Sequence, residues 1–253
     1  MMKGLSILGM IIDIGGNWMA KRPVFIASNS PPYYKTEIVE FEYFSGFSEA
    51  QKQRSISSLH RAFLARNPSA KVLEISSKST EPLGVALSAF NLKIITHSMK
   101  EYSVESVFQS CKAFRNGGPY SDIIHLPPKE AKRDERLKTS GELTSFIYKG
   151  KQFPITPKTY FYNWLYINTL FTYKEKCEEI AKYDSFTDIS FNPEKSINCQ
   201  AIAAAVYVSL LKNKLITKQI LDSAVFLETV YGNAENDTLF SPEQMQFTDV
   251  SIE

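Results

Sequence analysis

Ser103-Val104-Glu105-Ser106-Val107-Phe108-Gln109-Ser110-Cys111-Lys112-Ala113-Phe114 is the stretch on which the reading of this chain turns. At about 100° per residue, Val104, Val107, Phe108, Cys111 and Phe114 share one side of a helix, while Glu105, Gln109 and Lys112 follow at i, i+4 and i+7 along a neighbouring side. The spacing therefore predicts one helix that carries an acid, an amide and a base in a row. A polar row beside an apolar stripe is more often the solvated edge of an amphipathic helix. A functional meaning has to come from the residues that join it.

The chain has 253 residues, enough for one large domain or two small ones, and 43% hydrophobic with 13% aromatic residues is ample for a core. Its 29 Lys and Arg against 27 Asp and Glu leave a net charge of +2, which excludes a polybasic protein but permits a local basic groove. Cys111, Cys177 and Cys199 are odd in number and form no C-x-x-C pair, so neither a disulfide framework nor a structural zinc is expected, and a reducing cytoplasm fits. Lys3 and the apolar Leu5 to Ile14 imitate a signal peptide. Asp13 interrupts the run, no small-residue cleavage site precedes Trp18, and the run is short of the ~20 residues of a membrane span. Residues 1–18 read as an extension ahead of Met19-Ala20-Lys21-Arg22-Pro23, with no membrane partner.

Downstream, Val24-Phe25-Ile26-Ala27 predicts a strand, and Val39, Phe41 and Tyr43 alternate with Glu40 and Glu42 as a second. Ser48 and Gln51 form a capping-box pattern for a helix that carries Ile56, Leu59 and Phe63 and stops at Asn67-Pro68. Val72-Leu73-Glu74-Ile75 is a further strand. The hydroxyl-rich Ser76-Ser77-Lys78-Ser79-Thr80 turn after it offers backbone N–H groups and one cation to an anion. A mixed-charge helix is expected over Pro128 to Lys138, a hairpin around Lys149-Gly150-Lys151, and an aromatic-rich core helix opened by Thr156-Pro157. Residues 183–198 read as a polar connection to an Ala-rich helix from Cys199 to about Leu215, whose Asn198 start would suit a pyrophosphate. The chain beyond 221 reads as a peripheral helix and a polar tail. No P-loop or Rossmann glycine pattern occurs, and His60, His97 and His125 are too far apart in sequence to argue for a triad or a metal site.

With these pieces placed, the chain resembles the NADAR family. Val104-Glu105-x-x-Phe108-Gln109-x-x-Lys112-Ala113-Phe114 is similar to that family's Val-Glu-His-x-x-Gln-x-x-Lys-Phe signature. Ser88-Ala89-Phe90 is similar to its Ser-x-Phe strand, and Phe186-Thr187-Asp188 with Asn198 to its Trp-Gly-Asp…Gly-x-Asn segment. Residues 22–26, the stretch Glu74 to Ser79 and Leu83 to Leu92 resemble the branch encoded beside DarT-type toxins. Ser106 stands where the wider family has His, and Phe186-Thr187 replace Trp-Gly, so the roles of that imidazole and indole do not carry over.

The resemblance implies an α+β fold, compact and largely helical, with a small sheet in a single domain over 19–220, of which 19–83 is the branch-specific part. It implies an antitoxin enzyme that removes ADP-ribose from guanine in DNA, with ADP-ribose as product and a DarT-type toxin as functional partner, and with no metal or cofactor. The candidate catalytic residues are Glu105, Lys112 and Asp188, with either carboxylate as acid or base. Lys112 could tune a carboxylate, anchor a sugar hydroxyl or trap a ring-opened sugar as an imine. Ser77, Lys78, Phe90, Asn91, Gln109 and Asn198 are the candidate ligand contacts. Two other readings stand beside this one: an N-glycosidase acting on a small phosphoribosyl-amine, and a binding protein that holds ADP-ribose or a toxin without turnover.

Overall fold

In the computed structural model the described residues are 10–12, 18–46, 48–193 and 196–232. Most of the expected N-terminal extension and the whole of 233–253 lie outside them. In chain order the elements are β1 (Met10–Ile12), β2 (Trp18–Ala27), β3 (Tyr34–Glu42), α1 (Glu49–Arg66), β4 (Val72–Glu74), α2 (Pro82–Ala86), β5 (Lys93–Ile95) and β6 (Glu101–Ser103). They continue as α3 (Val104–Ser110), β7 (Lys112–Phe114), a 3-10 turn (Ser121–His125), α4 (Pro128–Ala131), α5 (Arg136–Thr139), β8 (Leu143–Tyr148) and β9 (Lys151–Phe153). Last come α6 (Tyr160–Phe171), α7 (Lys174–Ile180), β10 (Ser185–Thr187), α8 (Gln200–Lys212) and α9 (Ser223–Tyr231).

The main sheet runs β1-β2-β10-β4, and β3 also pairs with β2. Its strands β2 and β3 are long and antiparallel, with Arg22 opposite Val39. Alternation buries Val39 and Phe41 and leaves Glu40 exposed. Helix α1, capped by Ser48 accepting from the Gln51 N–H at 3.3 Å, lays Ile56, Leu59 and Phe63 over that face.

Residues 183–198 were expected to be a polar connection, and here the structure corrects the sequence. Ser185–Thr187 is a fully buried strand, β10, antiparallel to β2 and parallel to β4. Three residues between Asp184 and Asp188 are too short to show a period. Only the two neighbouring strands make β10 extended.

The larger core surrounds α8, whose residues Ala201 to Leu210 are all buried. A helix apolar on every side belongs inside a domain, and its alanines let it lie against α6, β2 and β10. The aromatics of α6 serve the same core, with Phe161 4.8 Å from both Phe146 and Phe153 by ring centroid. Tyr166 donates to the Leu87 carbonyl at 2.7 Å, so its hydroxyl is satisfied inside the core. This helix begins at Tyr160 rather than at Thr156-Pro157. The Lys149-Gly150 hairpin forms as expected, both residues at positive φ, 49° and 77°. The Pro128 to Lys138 segment is two short helices instead of one, α4 and α5, broken at 132–135.

Gly84 in α2 lies directly against the end of β4: a Cβ there would collide with the Glu74 carbonyl oxygen and the Ser79 hydroxyl. Gly84→Ala should lower stability by about 1–3 kcal/mol through this overpacking, seen as a drop of several degrees in Tm by circular dichroism. An unchanged Tm would show that α2 can move off β4.

Candidate active site

The floor of the site is α3. Ser103 caps it by accepting the Ser106 N–H at 3.0 Å, and every residue of the helix is buried. The Glu105 N–H, free of an intrahelical partner in the first turn, donates to the Ala89 carbonyl at 2.9 Å. Glu105 and Gln109 meet one turn apart, as the spacing predicts, with Gln109 Nε2 donating to Glu105 Oε1 at 2.9 Å. The ammonium of Lys132, just past α4, lies 3.4 Å from the same oxygen.

Lys112 is not on this helix. The expected row of acid, amide and base breaks after Ser110, Cys111 caps the end, and Lys112 begins β7 opposite Phe146. The Cys111 carbonyl accepts the Ile147 N–H at 2.8 Å, so the ladder to β8 takes the backbone groups another helical turn would need. The side chain nevertheless returns to α3, with Nζ 5.1 Å from the Phe108 ring centroid. Desolvation pulls the Lys112 pKa down to about 8; the Glu105 charge opposes the shift and the Lys132 charge adds to it. Near neutral pH a group of that pKa is roughly a tenth free amine.

Asp188 follows β10 directly. Its Oδ1 accepts the Ser190 N–H at 3.0 Å and its Oδ2 the Gln200 amide at 3.1 Å. Desolvation, then the charge of Glu74, push its pKa up to about 7, against the Ser190 hydrogen bond, the Lys132 charge and the Gln200 hydrogen bond. Glu74, the last residue of β4, is 1% exposed, and burial raises its pKa as well. Its Oε1 accepts the Ile189 N–H at 2.8 Å and its Oε2 the Thr187 hydroxyl at 2.5 Å. His60 Nε2 lies 2.8 Å from that hydroxyl, and burial lowers the His60 pKa to about 4. Because the one Thr187 proton is donated to Glu74, its oxygen is left to accept from the His60 Nε2–H.

The groups converge electrostatically. The ammonium of Lys132 pairs with Glu105 and lowers the pKa values of both Lys112 and Asp188. Tyr162 on α6 is fully packed, and the charges of Glu105 and Asp188 both help to hold its phenol protonated. Gln200, at the start of α8, ties the frame together. It donates to the Ile75 carbonyl at 2.5 Å and to Asp188, and its own carbonyl accepts the Ala89 N–H at 2.6 Å.

The structure thus gathers Glu105, Gln109, Lys112 and Asp188, with the Phe90 ring at the edge, 6.0 Å from the Lys132 ammonium. Asn198 and Gln109 each bury an amide oxygen that has no partner among the described residues. Ser77 is exposed in the turn after β4. The Lys78 ammonium pairs with Glu49 at 3.4 Å, and the exposed Asn91 donates to the Val85 carbonyl at 2.9 Å. Sequence reasoning missed Glu74, Lys132, Tyr162 and Gln200. Glu74 had a usable signal, a carboxylate inside a four-residue apolar run. Lys132 looked like any cation of a mixed-charge helix.

The described residues thus form an α+β domain in which the buried helix α3 sets an acid and an amide beside a desolvated lysine and a second carboxylate. Over residues 20–239 the chain matches the DarT1-associated NADAR antitoxin family. It belongs to that family, which makes its role that of an antitoxin. Comparison with curated proteins finds no match. Among the described residues no helix is long and apolar enough to cross a membrane.

Two titrations follow from this geometry. Glu105→Gln removes the charge that props up the Lys112 pKa, so that pKa should fall below about 8; a rise or no change, read by 13C NMR of the reductively methylated protein, would contradict the contact. Glu74→Gln should bring the Asp188 pKa down from about 7 toward the ordinary carboxylate range, read by carboxyl 13C NMR.

Proposed function

We propose that this protein hydrolyses the bond between the anomeric carbon of ADP-ribose and the exocyclic nitrogen of guanine in DNA, reversing the modification made by a DarT-type toxin. The observation that carries this reading is the grouping of a lysine tuned to about 8 with a carboxyl tuned to about 7 around the buried Glu105, which the exposed Lys132 reaches from the surface. At neutral pH one can supply an amine nucleophile and the other a proton.

The reaction begins when an acid protonates the ribose ring oxygen, so that the ring opens and the anomeric carbon becomes doubly bonded to the guanine nitrogen. Asp188, half protonated near pH 7, suits that step. The free amine of Lys112 then adds to the anomeric carbon, and guanine leaves as its neutral amine with a proton returned from the lysine nitrogen through a carboxyl group. The sugar is left as an imine on Lys112. Water activated by Glu105 adds to that carbon, the carbon–lysine bond breaks, and ADP-ribose and the free amine are restored. The net change is addition of one water across the glycosidic bond. The unpartnered oxygens of Gln109 and Asn198 suit donation from ribose hydroxyls. Lys78 and Ser77, in the turn after β4, are the proposed diphosphate contacts.

The deciding assay incubates the protein with a guanine-ADP-ribosylated oligonucleotide and, separately, with a free phosphoribosyl-amine. Release of ADP-ribose from the oligonucleotide is expected; loss of the small amine alone, or tight ADP-ribose binding without turnover, would overturn the reading. Glu105→Gln should cut turnover by roughly 10²-fold or more with the fold intact. Borohydride added during turnover should fix the sugar to Lys112, a mass shift absent from Lys112→Arg. Lys78→Ala should raise KM more than it lowers kcat, as loss of a binding contact does.

A further inference from the structure

Outside the carboxylate–lysine cluster, a cavity of about 520 Å³ opens beside the first turn of α3. Its wall combines Lys93 and Tyr102 of the β5–β6 hairpin, Lys100 in the turn between those strands, Ser106 of α3, and His125 and Leu126 at the end of the 3-10 turn. Glu101 is the carboxylate on this wall, so cations outnumber acids there. The Tyr102 and His125 rings meet edge to face with centroids 5.4 Å apart. His125 and Lys100 are exposed, and so are the apolar Ile95 and Met99 of the same hairpin.

The cavity adjoins the candidate site at two places. The Lys93 ammonium reaches the carbonyl of Phe90, at 3.5 Å, and the Phe90 ring faces Lys132. Pro128, on the cavity wall, opens α4, the helix that delivers Lys132 to Glu105. Past it the edge carries the exposed cations Lys129, Lys132 and Arg133 with the exposed Glu130 among them. None of the lining residues takes part in the proposed chemistry.

We propose that this cavity receives the nucleotide next to the modified guanine, as a single-stranded DNA segment whose base stacks on His125 and Tyr102 and whose phosphates run along Lys100 and Lys93. Cations interleaved with rings and exposed apolar side chains are the combination that single-stranded nucleic acid uses, because every base has a π-face and every linkage a charge. A site that hydrolyses a base modification must also hold the strand that the base hangs from, and the base has to leave the duplex stack to be reached. The inference rests on the DNA hydrolase reading above and adds where the strand lies.

The test pairs Lys100→Glu with His125→Ala, both on exposed side chains, so that folding is retained. On an ADP-ribosylated oligonucleotide the double variant should show KM raised about tenfold or more, the scale of one lost stacked base. On the ADP-ribosylated guanine mononucleoside, which has no neighbouring nucleotide, kcat and KM should match wild type. An unchanged oligonucleotide KM, or an equal loss on the mononucleoside, overturns the proposal. Fluorescence anisotropy with an unmodified single-stranded oligonucleotide decides it independently of turnover. The variant should bind about tenfold more weakly, and its salt dependence should be shallower by about 0.7 in log–log slope for one lost phosphate contact. If no substrate is turned over yet binding falls in this way, the hydrolase reading fails and the strand site stands. If binding is unchanged while the variant loses contact with the toxin, the cavity is a protein-docking site and the proposal falls.

Discussion

The amide of Gln200 is the point on which the arrangement depends. One side chain joins the end of β4 through the Ile75 carbonyl, the carboxylate of Asp188 after β10, and the backbone of Ala89. Ala89 in turn accepts the N–H of Glu105. The Asp188 carboxylate and the backbone N–H of Glu105 are therefore held in one frame by Gln200, the first residue of α8, and the two backbone groups of Ala89. An amide can do this where a charged group could not, because it offers two donors and an acceptor without carrying charge into a packed interior.

Burial of charge is the second constraint. Glu74, Glu105 and Asp188 lie in one neighbourhood with Lys112 and Lys132, and of these Glu105 and Lys132 are in direct ion-pair contact. Glu74 is surrounded by donors from Thr187 and Ile189, which leaves its charge free to raise Asp188. Lys112 has lost water without gaining a direct ion pair, so its pKa falls. A direct ion pair between a lysine and a carboxylate would have moved both pKa values the other way.

Legibility from sequence varied with the range of the forces involved. The capped helix α1, the alternating strand β3 and the Lys149-Gly150 hairpin were readable because neighbours in sequence determine them. So was the meeting of Glu105 with Gln109, four residues apart on one helix. The helix was expected to continue to Lys112, and it ended sooner because Cys111 and Lys112 pair with β8, more than thirty residues away. The same cause hid β10, whose three residues are extended only because β2 and β4 flank them. Lys132 gave no signal, since nothing local distinguishes a lysine that reaches a buried carboxylate from one that faces water.

The α+β class was implied by the family resemblance; by itself, the sequence determined that the chain has a substantial core and that an acid and an amide share a helix face. Those are statements about periodicity and side-chain type, which are fixed within a few turns of chain. Only the tertiary structure decided which ionisable groups are stripped of water and which charges lie within reach of one another. Desolvation and Coulomb attraction depend on distance in space, and β4, α3, β7, α4, β10 and α8 bring to one place residues that span 126 positions, from Glu74 to Gln200.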